Sequence, residues 1–136
     1  MNAEELRGIL EKHKKWLNDE DDGERANLSE SDLRWSNLSE SNLSGSDLRW
    51  SDLRGSDLRG SDLRWSDLRG SDLDYACWPL WCGSLDVIVD KRIAAQLAYH
   101  FCRIICDDEE VKAAQKALAT LANQFHRVDE CGRIEE

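Results

Sequence analysis

No run of apolar residues in this chain approaches the roughly 18 needed to cross a bilayer. Met1 to Leu17 is charged throughout and lacks a signal-peptide core, so a cytoplasmic protein without membrane contact is expected. Cations are in short supply. Eighteen Lys and Arg against 28 Asp and Glu leave a net charge of -10, and phosphate contacts need clustered cations, which argues against a nucleic-acid partner. Histidine occurs three times, scattered as His13, His100 and His126, and no unit of the chain pairs a nucleophile with a base. There is no phosphate-cradling glycine loop, no nucleophile elbow and no His-Glu metal helix motif. The expectation is therefore no enzyme, no catalytic residue and no cofactor. Cysteine comes in an odd count of five, which in a reducing compartment means free thiols more than a disulfide framework. Proline occurs once and glycine eight times, and four of the glycines, Gly45, Gly55, Gly60 and Gly70, share one fixed period.

At 136 residues the chain has room for one ordinary domain or two very small ones. A mean hydropathy of -0.65 combined with recurring Leu allows either disorder or a repetitive fold with a thin core. The middle of the sequence decides between them. From Ala26 to Tyr75 it reads ANLSE, SDLRW, SNLSE, SNLSG, SDLRW, SDLRG, SDLRG, SDLRW, SDLRG and SDLDY. The third place is always Leu (Leu28, Leu33, Leu38, Leu43, Leu48, Leu53, Leu58, Leu63, Leu68, Leu73), with Asp or Asn before it. A period of five is neither 2 nor 3.6, and on an α-helix successive Leu would step by about 140° and never share a face. A chain that turns a corner every five residues, sending one Leu and one small residue inward per side, does fit. Stacked coils of that kind bury a continuous Leu column, which makes these ten Leu the candidate structural core.

These ten units resemble the pentapeptide repeat family, whose motif is a small residue, Asp or Asn, Leu or Phe, and two variable places. The resemblance implies a mainly β solenoid, a right-handed quadrilateral β-helix with four units per coil. Ten units make about two and a half to three coils. A stack so short needs atypical ends to cover its apolar column. The expected organisation is an N-terminal helix cap and linker at 1–25, the repeat block at 26–85 and a two-helix cap at 86–136.

Upstream, Asn2 and Glu5 have capping-box spacing, and Leu6, Ile9, Leu10, Trp16 and Leu17 mark the apolar side of a helix ending near Asn18. Downstream, Ala76 to Leu80 reads as a degenerate eleventh unit carrying the single proline, and Leu85 to Val89 as a last strand. Asp90 then opens a helix with the stripe Ile93, Leu97, Phe101, Ile104 and Ile105. Asp107 and Glu110 open another with Val111, Ala114, Leu118, Leu121, Phe125 and Val128.

Stacking twenty residues apart places Asp32, Asp52 and Asp72 in one outward column with Arg34 and Arg54 beside it, surface pairs worth about 0–1 kcal/mol each. Trp35, Trp50 and Trp65 are fifteen residues apart, so each faces a different side; they are aromatic cover over corners, or a partner surface. The favoured function is a non-catalytic structural scaffold. The SDLR quartet recurs six times verbatim between richer flanks, which points to a designed or consensus-engineered member of the family. The first alternative follows from the resemblance: an interaction module acting as an acidic DNA mimic toward DNA gyrase. Six interleaved Arg and the shortness of the rod weaken it. The second alternative is a zinc-stapled cap drawing on Cys77, Cys82, Cys102, Cys106, Cys131, His100 and His126, although Cys-x4-Cys and Cys-x3-Cys are poor ligand spacings. No partner is required. The resemblance leaves room for a homodimer through one cap without saying which end associates.

Overall fold

The computed structural model describes all 136 residues and divides into two compact units, Met1–Ile88 and Val89–Glu136. The first opens with helix α1, Ala3–Leu17. Asn2 caps it. Its Oδ1 accepts the Glu5 N–H at 2.8 Å while its Nδ2 donates to Glu5 Oε1 at 3.0 Å, so one donor left open at the helix start is satisfied and the Glu5 side chain is held in return. Glu4 and Glu5 in the first turn and Lys14 and Lys15 in the last complement the helix dipole.

From Ala26 the chain winds in coils of twenty residues. Parallel bridges join Asn27 to Asp47, Asp32 to Asp52, Asn37 to Asp57 and Asn42 to Asp62, and the series continues upward through Asp47 to Asp67 and Asp52 to Asp72. Each bridge comprises a pair of backbone bonds, as where Asp47 N–H donates to Ala26 O at 3.0 Å and Leu28 N–H donates to Asp47 O at 2.8 Å. Between bridges the chain turns. The Leu carbonyl accepts the N–H of the next unit's first residue (Ser31 to Leu28 at 3.3 Å, Ser46 to Leu43 at 3.0 Å), and the fifth residue has positive φ, from 58° at Glu30 to 77° at Gly70. Nine of the Leu side chains, Leu28 to Leu68, are fully buried, and Leu73 at the last unit is 7% exposed.

This geometry corrects the expected fold class. The molecule is not mainly β: no strand forms, there is no sheet or barrel, and 36% of residues are helical against 9% in isolated bridges. The physical reason is the turn at every fifth residue. Positive φ interrupts the extended backbone so often that each side keeps a single bridging residue, always the second place, and no ladder grows beyond it.

The repeat register slips at the C-terminal end of the first unit. Asp57 still bridges Cys77 twenty residues on, but Asp67 bridges Ile88, twenty-one residues on. A short 3₁₀ turn at Cys82–Ser84 takes up the extra residue. The segment Leu85 to Val89 is accordingly no strand; Ile88 alone pairs. In the eleventh unit Pro79, at the fourth place, is buried, while Leu80, at the outward fifth place, is 93% exposed.

The second unit holds α2 (Lys91–Arg103), α3 (Glu109–Ala122) and the single turn α4 (Val128–Cys131). Asp90 caps α2 by accepting the Ile93 N–H at 3.0 Å. For α3 the cap is Asp108, which accepts the Glu110 and Val111 N–H groups, while Asp107 stands one residue too early and pairs with Lys112 Nζ at 2.7 Å. The core is Ala98, Tyr99, Ala122, Phe125 and Val128, with Tyr99 and Phe125 ring centroids 4.8 Å apart. The stripe expected on α2 holds only in part. Ile93 is buried, but Leu97 is 39% and Ile104 55% exposed and Ile105 lies open, because the helix ends at Arg103 and the extended backbone at Ile104 carries the last two off the helix face. Gln115 of α3 closes that end by donating to the Phe101 and Ile104 carbonyls at 2.9 and 3.0 Å. No helix is long and apolar enough to cross a membrane.

Candidate interaction surface

The outward polar residues of the coils are bonded within their own units. In Ser-Asp-Leu-Arg, the Asp carboxylate accepts the backbone N–H of the Arg two residues on and grips its guanidinium with both oxygens. At Asp57 these contacts are 3.1 Å to Arg59 N, 2.8 Å to Nε and 2.6 Å to Nη2. The same clamp joins Asp32 to Arg34, Asp47 to Arg49, Asp52 to Arg54, Asp62 to Arg64 and Asp67 to Arg69. Between coils the attraction is weaker, with Arg34 Nε 3.7 Å from Asp52 and Arg54 Nε 3.8 Å from Asp72. Bidentate bonding to Arg59, aided by the Arg59 backbone N–H, holds the Asp57 carboxyl down to about 2. The Asp47, Asp52, Asp62 and Asp67 carboxyls are held below the usual range in the first place by the same bond from their own Arg. In the first coil Asn27 and Asn37 keep the turn without charge, each accepting the N–H and hydroxyl of the Ser two residues on at 3.1 and 2.6 Å.

Two of the three fifth-place tryptophans rest on glycines. Trp35 covers Gly55 and Trp50 covers Gly70, twenty residues on in the same corner, so closely that a Cβ on either glycine would collide with the indole. Trp16 of α1 approaches Gly45 in the same manner, at 3.4 Å from where a Cβ would stand. Trp35 and Trp50 nonetheless remain 74% and 68% exposed, because one face of each ring lies against the coil and the other faces outward, and Trp65 is 64% exposed. All three carry positive φ, a conformation that costs an L-residue about 1–2 kcal/mol.

At the N-terminal end His13 is fully buried with both ring nitrogens engaged. Nδ1 accepts the Ala26 N–H at 2.9 Å and Nε2 lies 2.8 Å from Ser44 O. An acceptor at Nδ1 and a carbonyl opposite Nε2 require the neutral ring protonated on Nε2. The ring stacks on Trp16, centroids 5.4 Å apart.

A family model for pentapeptide repeats matches this chain in eight copies, over residues 24–55 and 46–77. The repeat block at residues 24–77 is thus similar to pentapeptide repeats. Among solved structures, a pentapeptide repeat protein, Rfr23, from the cyanobacterium Cyanothece 51142 is 32% identical over 48% of this chain and 40% of its own, with a TM-score of 0.39. The pentapeptide repeat protein alr5209 from Nostoc Pcc 7120 is 18% identical over 62% of this chain and 95% of its own, with a TM-score of 0.24. This chain thus spans less than half the length of Rfr23. No curated protein matches it.

Inside the pentapeptide repeats the first-place serines are buried and mostly bonded. Ser51, Ser61, Ser66 and Ser71 donate their hydroxyls to the Leu carbonyl three residues back, at 2.6–2.7 Å. Ser46 and Ser56 Oγ are buried without a partner. In the columns twenty residues apart, Ser46 is the neighbour of Ala26 and Ser56 of Ala76. The cysteines are all free. Cys77, Cys82 and Cys131 are exposed, and Cys102 directs its thiol at Gln115 O, 3.4 Å away, with burial pushing its pKa up. Within the second unit no three of Cys102, Cys106, Cys131, His100 and His126 come within 4.8 Å of one another, so the cap ligands offered for zinc are not assembled there. The sequence reading missed both the His13 contact and the pairing of Trp35 and Trp50 with glycines one coil on. The second was visible as Trp35–Gly55 and Trp50–Gly70 at the coil period.

Proposed function

We propose that this protein is a non-catalytic structural scaffold. The observation that carries this reading is the closure of the polar chemistry within the repeat block: in the six SDLR units Asp faces its own Arg, and four buried Ser hydroxyls face the backbone of the preceding unit. A nucleophile needs a base within hydrogen-bond reach, and the SDLR units offer none. The verbatim repetition of SDLR supports a designed or consensus-like repeat block, in which outer positions serve regularity more than recognition.

The second reading, an interaction module, rests on the outward faces of Trp35, Trp50 and Trp65. Its DNA-mimic version fits the charge distribution poorly. A phosphate-like row needs carboxylates free to meet a partner's cations, and six of the eight repeat Asp are clamped by Arg. A gyrase supercoiling assay with and without equimolar protein separates the two readings. No change is expected, and stoichiometric inhibition would establish the mimic and overturn the scaffold.

A further inference from the structure

We propose that His13 is an acid-sensitive latch: α1 stays docked on the first coil only while the imidazole is neutral, and protonation at Nδ1 releases the helix. The geometry assigns each ring atom its part. The Ala26 N–H points at Nδ1, so a proton added there replaces an acceptor with a donor facing a donor, inside a site from which water is excluded. Nε2 already donates to Ser44 O and offers no alternative place for the proton.

The surroundings give no relief. The charged group facing the ring is Arg25, in the segment leading into the coil, and its cation opposes a second positive charge. Arg25 is itself tied to the coil through Nε to Gly45 O at 2.5 Å. From α1 the ring is met by the indole of Trp16, and from the coil by the Ser44 backbone, neither of which carries a charge. Glu24 is turned to Lys12 Nζ, 3.5 Å away. Burial, opposed by the bond to Ser44 and reinforced by Arg25, lowers the His13 pKa from its ordinary value.

The sign of the effect follows. A released His13 titrates near its ordinary value of about 6.5 and binds a proton that the docked ring refuses, so acid favours release. Release also lifts Trp16 from Gly45 and leaves the Ala26 N–H and the Ser44 carbonyl without their protein partners. The latch closes as pH rises through the ordinary histidine range.

Amide hydrogen exchange on the full chain, corrected for intrinsic rates, tests this at pH 7 and pH 5. The opening constant of Ala3–Leu17 should rise by up to about 25-fold on acidification, while the coil amides from Asp47 to Asp72 stay protected. In His13→Gln, whose amide offers one acceptor and one donor but cannot titrate, the rise should vanish. An equal rise in His13→Gln would overturn the latch, as would unchanged protection of wild-type α1 at pH 5. Should His13→Gln fail to dock at pH 7, the wild-type imidazole titration followed by NMR decides: a midpoint below 6.5 that coincides with loss of α1 protection supports the latch, and one at or above 6.5 ends it.

Discussion

The indole of Trp35 lies on the α-carbon of Gly55, one coil further along the chain. Only one of the two positions excludes a side chain: a Cβ at Gly55 would strike the ring, whereas Trp35 is held at a positive φ of 61° that glycine would adopt at no cost. Alternating the two residues within one corner lets a large aromatic be carried without crowding the next coil.

Gly55→Ala should therefore be more harmful than Gly60→Ala. Both force a β-carbon into positive φ, at about 1–2 kcal/mol, but the nearest atom to a Cβ at Gly60 belongs to the flexible Glu40 side chain, 3.2 Å away, with the Glu40 backbone at an ordinary 3.8 Å. The collision with Trp35 should add about 1–3 kcal/mol at Gly55. Chemical denaturation of the two variants, and of Gly55→Ala in a Trp35→Ala background, measures the difference. If the excess survives removal of the indole, its cause is not Trp35.

The serines inside the coil divide into two groups. Ser61 donates to Leu58 O at 2.7 Å, and Ser61→Ala should cost about 0.5–1.5 kcal/mol. Ser56 Oγ is buried without a bond, so Ser56→Ala should be neutral or stabilising. Equal melting shifts for the two variants would contradict the assignment of partners.

Leu53 is fully buried at the middle of the stack. Leu53→Ala should lower stability by about 2–5 kcal/mol, and Leu53→Asp should unfold the coil outright, since no cation inside can accompany the carboxylate. A cooperative wild-type-like melt for Leu53→Asp would show that the column does not hold the coils together.

Acid should weaken the Asp–Arg clamps late. The Asp57 carboxyl is held at about 2 in the folded chain, against about 4 when unfolded. Between those values only the unfolded chain takes up the proton, so this contribution is intact above pH 4 and fades as pH falls toward 2. Asp57→Asn keeps the acceptor for the Arg59 N–H, as Asn27 does for Ser29, but not the charge, and should flatten the acid limb of the stability curve, its deficit relative to wild type being full at pH 7 and vanishing toward pH 2. An unchanged acid limb would mean that the clamp contributes nothing, a known outcome for exposed pairs.

In the second unit Asn123 pins the chain terminus, donating to Ile134 O and accepting from Ile134 N, both at 2.8 Å. Asn123→Ala should cost about 1–3 kcal/mol by leaving both backbone groups unpaired and should make residues 132–136 sensitive to protease. Resistance equal to wild type would place the anchor elsewhere.

Much of this protein is written in its repeat. Leu at every fifth place determined which side chains go inside, since no helix or strand period can gather them, and Asn2 and Asp90 marked two helix starts because a capping side chain acts on N–H groups two or three residues away. These are local effects, so the sequence carries them. The secondary-structure class was not local in that way. Positive φ recurring every fifth residue leaves one bridging pair per side where β-strands were expected, and with the helices at both ends it makes a mainly turn-and-helix molecule. The Trp35–Gly55 and Trp50–Gly70 pairs were legible at the coil period, but tertiary structure alone decided that the six repeat Arg clamp the Asp of their own units more tightly than the Asp of the next coil, and that His13 sits between Ala26 and Ser44. Each of these depends on which atoms meet across one coil or across a helix-coil contact. A residue pattern states which groups are available, and only the folded chain brings one acceptor and one donor to the two sides of a single buried ring.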